Sequence, residues 1–189
     1  MQEKIKILDC TLRDGGHVNN WGFGEKKIYS IVEALVEAKV DIIELGLIKD
    51  IKPNKNLTLK PNLKLFENIA KKFLNKSETF FTVMIRPDWI HDKDFYNNEN
   101  LDYIKGIRFA FYPNSLNLAI EQANKAKENG FKIFFNPVAI STYSNAKILS
   151  TLKKLSKYDP IGFSIVDTFG ALDLTRLKEI YEIFDCEIP

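Results

Sequence analysis

Short apolar runs alternate with amphipathic stretches along almost the whole chain, and that alternation confines it to a parallel α/β architecture. Ile5 to Leu12, Val40 to Ile48, Phe80 to Ile85, Ile107 to Tyr112, Lys132 to Ile140 and Ile161 to Asp167 read as six buried strands. Glu25 to Lys39 carries Ile28, Ile31, Val32, Leu35 and Val36 at helical spacing, with Glu and Lys between them. Pro61 to about Lys76 reads as a helix with Leu65, Phe66, Ile69, Phe73 and Leu74 as its stripe. A further helix runs from Asn114 or Ser115 to Glu128, where Asn129 and Gly130 end it. Another starts at Ser144 or Asn145 and reaches about Lys157, and a last one opens at Leu172 or Asp173. Asp88 to Asn100 reads as a short helix and a turn, and Lys49 to Lys60 as a solvated polar loop. Strand then helix, repeated, implies parallel strands joined by right-handed crossovers. Two architectures fit: an open doubly wound sheet, or a (β/α)8 barrel cut short after six units.

A chain of 189 residues forms one domain, residues 1–189, with no linker or repeat to divide it. Lys and Arg total 27 against 25 Asp and Glu, so no basic footprint for nucleic acid or an anionic membrane exists. The two cysteines, Cys10 and Cys186, lie almost a chain length apart, which excludes a disulfide framework, a CxxC redox pair and a cysteine metal cluster. No apolar run approaches the ~20 residues of a membrane span, and no signal-peptide core follows the N-terminus. The expected location is cytoplasmic.

Chemistry in such folds gathers at the C-terminal ends of the strands. The densest polar set there is Asp9 to His17, with two carboxylates, a guanidinium and an imidazole within nine residues. Asp14 offers hard oxygen to a divalent cation, Arg13 a fixed charge for an oxyanion, and His17 a base near neutral pH. Gly15 and Gly16 let the backbone turn sharply. Glu44 lies on the neighbouring strand. Arg86, Asn136, Ser141, Tyr143 and Thr168 stand at later strand ends as candidate substrate contacts. An Arg–Asp surface pair beside a turn is the simpler reading of the first set.

The run Ile7-Leu8-Asp9-Cys10-Thr11-Leu12-Arg13-Asp14-Gly15-Gly16 resembles the opening motif of the DRE-TIM metallolyases. That superfamily includes 3-hydroxy-3-methylglutaryl-CoA lyase, 4-hydroxy-2-oxovalerate aldolase, isopropylmalate and homocitrate synthases and pyruvate carboxyltransferase domains. Ile43-Glu44-Leu45-Gly46 resembles its glutamate motif, and Val166-Asp167-Thr168-Phe169-Gly170 its D-T-x-G segment. Gly16, His17, Asn19, Asn20 and Trp21 look most like the aldolase branch. The resemblance implies a (β/α)8 TIM barrel, present as about six βα units. It implies a lyase or aldolase working next to a 2-oxo acid, with Mn²⁺ or Mg²⁺ on Asp14. Arg13 would stabilise an enolate oxygen, His17 would be the base, and Glu44 would orient the others.

The resemblance also implies a His-x-His pair on strand seven. The chain holds only His17 and His91, so the expectation is a form lacking the last two units, with weak metal binding and little turnover. A catalytically degenerate barrel that binds a ligand or a partner is the alternative, and a phosphosugar-type barrel ranks below both. The open edges of a partial barrel favour a homo-oligomer. His91 reads as a surface histidine or a replacement ligand, Cys10 as a small buried residue, and Trp21 and Phe23 as a lid or a staple. Phe80, Phe81, Phe109, Phe111, Phe134 and Phe135 read as core.

Overall fold

A computed structural model describes residues 5–61, 63–73, 78–90 and 101–187. Among them, β1 (Leu8–Asp9), β2 (Ile42–Ile48), β3 (Leu59–Lys60), β4 (Phe80–Ile85), β5 (Ile104–Phe111), β6 (Lys132–Pro137) and β7 (Gly162–Phe163) form one sheet. Every pairing is parallel, and the order β1-β2-β4-β5-β6-β7 follows the chain, with β3 beside β2. A doubly wound sheet reverses its order at a switch point. This one does not, so the fold is an α/β half-barrel, a partial TIM barrel.

The helices are α1 (Thr11–Asp14), α2 (Gly16–Asn19), α3 (Glu25–Glu37), α4 (Leu63–Ala70), α5 (Leu116–Glu128), α6 (Asn145–Leu155) and α7 (Leu174–Glu187). Alternation along each strand sorts its side chains. Ile43, Leu45, Phe81, Val83, Ile107, Phe109, Ile133 and Phe135 form the outer face, buried against Ile28 and Val32 of α3, Phe66 of α4 and Ala119 and Ala123 of α5. Each large apolar side chain buried this way contributes about 1.5–3 kcal/mol. A second cluster joins Ile148 and Leu152 of α6 to Ile180 and Phe184 of α7. Ser144 caps α6 through the Lys147 amide at 3.2 Å, and the Asp173 carboxylate accepts the Arg176 amide of α7 at 2.7 Å. Glu67 is buried on α4 and accepts the amides of Asp102, Tyr103 and Ile104, which fixes where β5 begins.

The inner face is layered. At its N-terminal end Phe80 and Phe134 meet edge to face at 6.3 Å. At the C-terminal end Leu47, Met84 and Ala110 form an apolar layer with Val138, Trp21 and Trp89. Between the two lie Glu44, Thr82, Arg108 and Asn136, all buried.

Three expectations need correction. The strand expected over Ile5 to Leu12 pairs only at Leu8 and Asp9, because the chain turns into α1 directly after Cys10. The strand expected over Ile161 to Asp167 pairs only at Gly162 and Phe163. The segment from Lys49 to Lys60 is solvated only in part: Lys52 to Asn56 are exposed, but Thr58, Leu59 and Lys60 are buried, and β3 pairs with the C-terminal end of β2, on the edge that β1 leaves uncovered. Gly46 permits this approach. Its φ is 153°, the β2 register shifts beside it, and a Cβ there would stand 2.0 Å from the Thr58 carbonyl. Most of the stretch from Asp88 to Asn100, with His91, and Leu74 of the α4 stripe lie outside the described residues.

Candidate active site

The site is built where β1 stops. The Asp9 carboxylate accepts the Thr11 amide at 3.0 Å and the Thr11 hydroxyl at 2.9 Å, which starts the helical turn α1. The Asp14 amide then reaches the Cys10 carbonyl at 2.7 Å. The turn sends Arg13 back across the strand ends. Trp21 clamps it from the other side: its indole Nε1 donates to the Arg13 carbonyl at 3.0 Å, and its own carbonyl accepts the Thr58 amide at 3.0 Å. The indole lies so close to Gly16 that a Cβ there would come within 2.1 Å of the ring. Trp21 therefore clamps the motif in place.

Glu44 is 0% exposed and holds two guanidinium groups. Arg13 Nε donates to its Oε1 at 2.7 Å, and Arg108 Nη1 donates to its Oε2 at 2.6 Å. Arg13 Nη1 also meets Asp14 at 2.5 Å on the exposed side. Arg108 Nη2 donates to the Ser164 hydroxyl at 3.3 Å. The Asn136 amide satisfies both its atoms when its oxygen accepts from Arg108 Nη2 at 2.9 Å and its nitrogen donates to Ser164 at 3.1 Å. Burial pulls the Arg13 guanidinium down, but the Glu44 charge and hydrogen bond, joined by Asp14, outweigh it and leave its pKa raised. Arg13 stays a cation under all working conditions. Two polar atoms of this layer, Arg108 Nε and Thr82 Oγ1, are buried with no hydrogen-bond partner among the described residues. Two rigid cations thus share one buried carboxylate beneath an apolar rim, an arrangement suited to binding an anion with a hydrocarbon part.

The expected site residues divide. Arg13, Glu44 and Asn136 come together through Arg108, with Asp14 attached through Arg13. His17 is exposed, its ring 4.9 Å from that of Trp21. Arg86 is engaged by Asp88 at 2.7 and 3.2 Å and lies 4.5 Å over the Trp89 ring. Thr168 accepts the Ala139 amide at 2.8 Å and so ties the segment after β7 to that after β6. Asp167 caps Leu172 and Ala171, and these amides hold its carboxyl below its ordinary value. Ser141 stands on the helical turn 140–142. Tyr143 is buried with α6 and α7. Cys10 is half-buried at the start of α1, and burial pushes its thiol up, away from a nucleophile's range.

Arg108 and Ser164 are missing from the sequence expectations. A signal for Arg108 exists: it is a charged residue inside the otherwise apolar run Ile107 to Phe111. Ser164 has none, since a lone serine after a short strand looks like any other.

The residues do not amount to a metal centre. Asp14 offers one carboxylate, 62% exposed and already paired with Arg13. Among the described residues no three His, Cys, Asp or Glu side chains gather to hold an ion.

No protein-family model matches the chain. A protein assigned as an (R)-citramalate synthase from Archaeoglobus fulgidus is 24% identical, over 94% of this chain and 36% of its own length. The N-terminal domain of a protein assigned as an aldolase from Bacteroides vulgatus superposes with a TM-score of 0.75 at 27% identity, covering 98% of this chain and 62% of that one. Pyruvate carboxylase from Rhizobium etli superposes with a TM-score of 0.71 at 14% identity, over 98% of this chain and 18% of that one, a likeness of fold alone. The chain thus spans less than two thirds of the length of each. Ordered motifs, a sequential half-barrel and these likenesses support the resemblance to the DRE-TIM metallolyase superfamily, whose fold carries carbon–carbon chemistry.

Proposed function

We propose that the strand-end cluster binds a 2-oxo acid and that the chain belongs to a lyase or aldolase that cleaves or forms the carbon–carbon bond next to it. The observation that carries this reading is the pair of guanidinium groups fixed on one buried carboxylate, Arg13 and Arg108 on Glu44. Arg108, whose Nε has no partner among the described residues, holds the substrate carboxylate, Asn136 positions Arg108, and the apolar layer of Leu47, Met84 and Ala110 accepts the carbon chain. In cleavage of a 4-hydroxy-2-oxo acid, His17 takes the hydroxyl proton and that oxygen becomes the carbonyl of the departing aldehyde. The bond electrons pass to the 2-oxo group, and Arg13 stabilises the resulting enolate oxygen. Protonation of the enolate carbon gives pyruvate. Glu44 is a positioning residue, and the reading extends the substrate contacts to Arg86, Ser141, Tyr143 and Thr168 on the segments after β4, β6 and β7. Asp14 alone does not make a site for the superfamily's divalent metal. A homo-oligomer is part of the reading: Ile5 and Ile7 at the β1 edge and Leu174 and Tyr181 on α7 stay exposed.

A second reading, ligand binding without turnover, is favoured by the lone Asp14 carboxylate. One experiment separates them: a coupled pyruvate-release assay on a 4-hydroxy-2-oxo acid, with Mn²⁺ added, for the wild type and Arg13→Ala. Release that depends on Arg13 supports the lyase. Saturable pyruvate binding without release supports the binding module. Release unchanged in Arg13→Ala removes the proposed role of this cluster.

A further inference from the structure

β3 carries a lysine into the space between helices α3 and α4, away from the strand-end cluster. Lys60 is 3% exposed, and its Nζ donates to the Asn54 carbonyl at 2.8 Å. An ammonium has three donors, so this bond leaves two, and no carboxylate among the described residues stands within ion-pair distance of it. A lysine that served only to cover apolar surface would carry its head out to water. This one ends in a cavity of about 420 Å³, within the size range of small-molecule sites. Ile28 of α3 and Leu65 and Ile69 of α4 give that cavity apolar walls, with Pro53 beside them. Glu25 and Lys55 also line it, paired with each other at 3.1 Å. The charged lining is thus two lysines against one glutamate, an excess of one positive charge. Burial lowers the Lys60 pKa, with the Glu25 charge acting the other way, so the ammonium here is short of a counter-charge.

We propose that this cavity is a second ligand site, which takes a small monocarboxylate with a short hydrocarbon body, its carboxylate on Lys60 Nζ. One uncompensated cation matches one anionic charge, and the nearby Glu25 disfavours a dianion such as phosphate. The apolar walls of Ile28, Leu65 and Ile69 match a short alkyl chain, and Tyr29 and Asn68 complete the lining. The site is independent of the reading given to Arg13, Glu44 and Arg108.

The test is a methyl-observed NMR titration of the intact chain with butanoate, with butanamide and inorganic phosphate as comparison probes. The methyls of Ile28, Leu65 and Ile69 should shift saturably with butanoate. Butanamide, the uncharged analogue, should bind at least about tenfold more weakly, as the loss of a charge-assisted hydrogen bond requires. Lys60→Met, which keeps the stem, should remove the butanoate response by a similar factor. The methyls of Met84 and Ala110 report the strand-end cluster separately, so failure at one site is not read as failure at the other. The proposal is overturned if butanoate and butanamide shift the three residues equally, if no saturable shift occurs, or if phosphate outcompetes butanoate. The butanamide comparison uses the wild type and so does not depend on the variant folding.

Discussion

Glu44 has the most to lose by substitution. It is buried and is the common acceptor of Arg13 and Arg108, so Glu44→Ala leaves Arg108 inside the barrel with no counter-charge. Removing one member of a buried ion pair costs about 3–5 kcal/mol, and Glu44→Ala should lower stability by about that amount in a urea unfolding series. Tyr143 gives the opposite case. Its hydroxyl is buried without a hydrogen-bond partner among the described residues, so Tyr143→Phe should leave neutral-pH stability unchanged or raised. Burial, with Tyr112 adding to it, pushes that hydroxyl from 10.0 up to about 12. A raised pKa means that the folded state favours the neutral form. Its contribution is complete below the unfolded pKa and is lost as pH rises from about 10 through about 12. Unfolding midpoints measured across that range should fall less steeply for Tyr143→Phe than for the wild type. At this scale the sequence was informative for Arg13, Asp14 and Glu44, which sit in ordered motifs. It was silent about their partners, because the Arg108 and Ser164 contacts cross 64 and 56 residues of chain and depend on strand register.

At the scale of elements, periodicity located the long helices and the central strands, and Phe80 to Ile85 forms a strand over those same residues. Pairing decided the rest. Ile5 to Leu12 is apolar enough to be a strand, but the side chain of Asp9 turns the chain at Cys10, a local hydrogen bond that hydropathy does not register. β3 was hidden for a related reason. Leu57 to Lys60 follows a polar stretch and is too short to show alternation, and it becomes a strand only because the edge of β2 is open to it. Gly46 is the residue that permits that pairing. Gly46→Ala puts a methyl group against the Thr58 carbonyl and the Phe66 ring at a φ that side chains rarely adopt. Overpacking of this kind costs about 1–3 kcal/mol and the backbone strain about as much again. A loss of about 3 kcal/mol or more, with faster amide exchange at Leu47 and Lys49, is the expected result. Unchanged exchange at those amides would mean that β3 does not depend on the glycine.

For the molecule as a whole, the choice between a doubly wound sheet and a barrel was open from alternation alone, since both repeat strand and helix. The sequential strand order closes it. A sequential half-barrel gathers residues from β2, β5, β6 and the segments after β1 and β7 on one concave face, which is why Arg13, Glu44, Arg108, Asn136 and Ser164 meet. The proposed function requires that face to bind a 2-oxo acid through its two arginines. Isothermal titration of pyruvate into the wild type and into Arg108→Met tests it most directly. The wild type should bind one pyruvate per chain, and Arg108→Met, which keeps the apolar stem but removes the charge, should weaken binding at least about tenfold. Equal affinity in the two proteins would contradict the account.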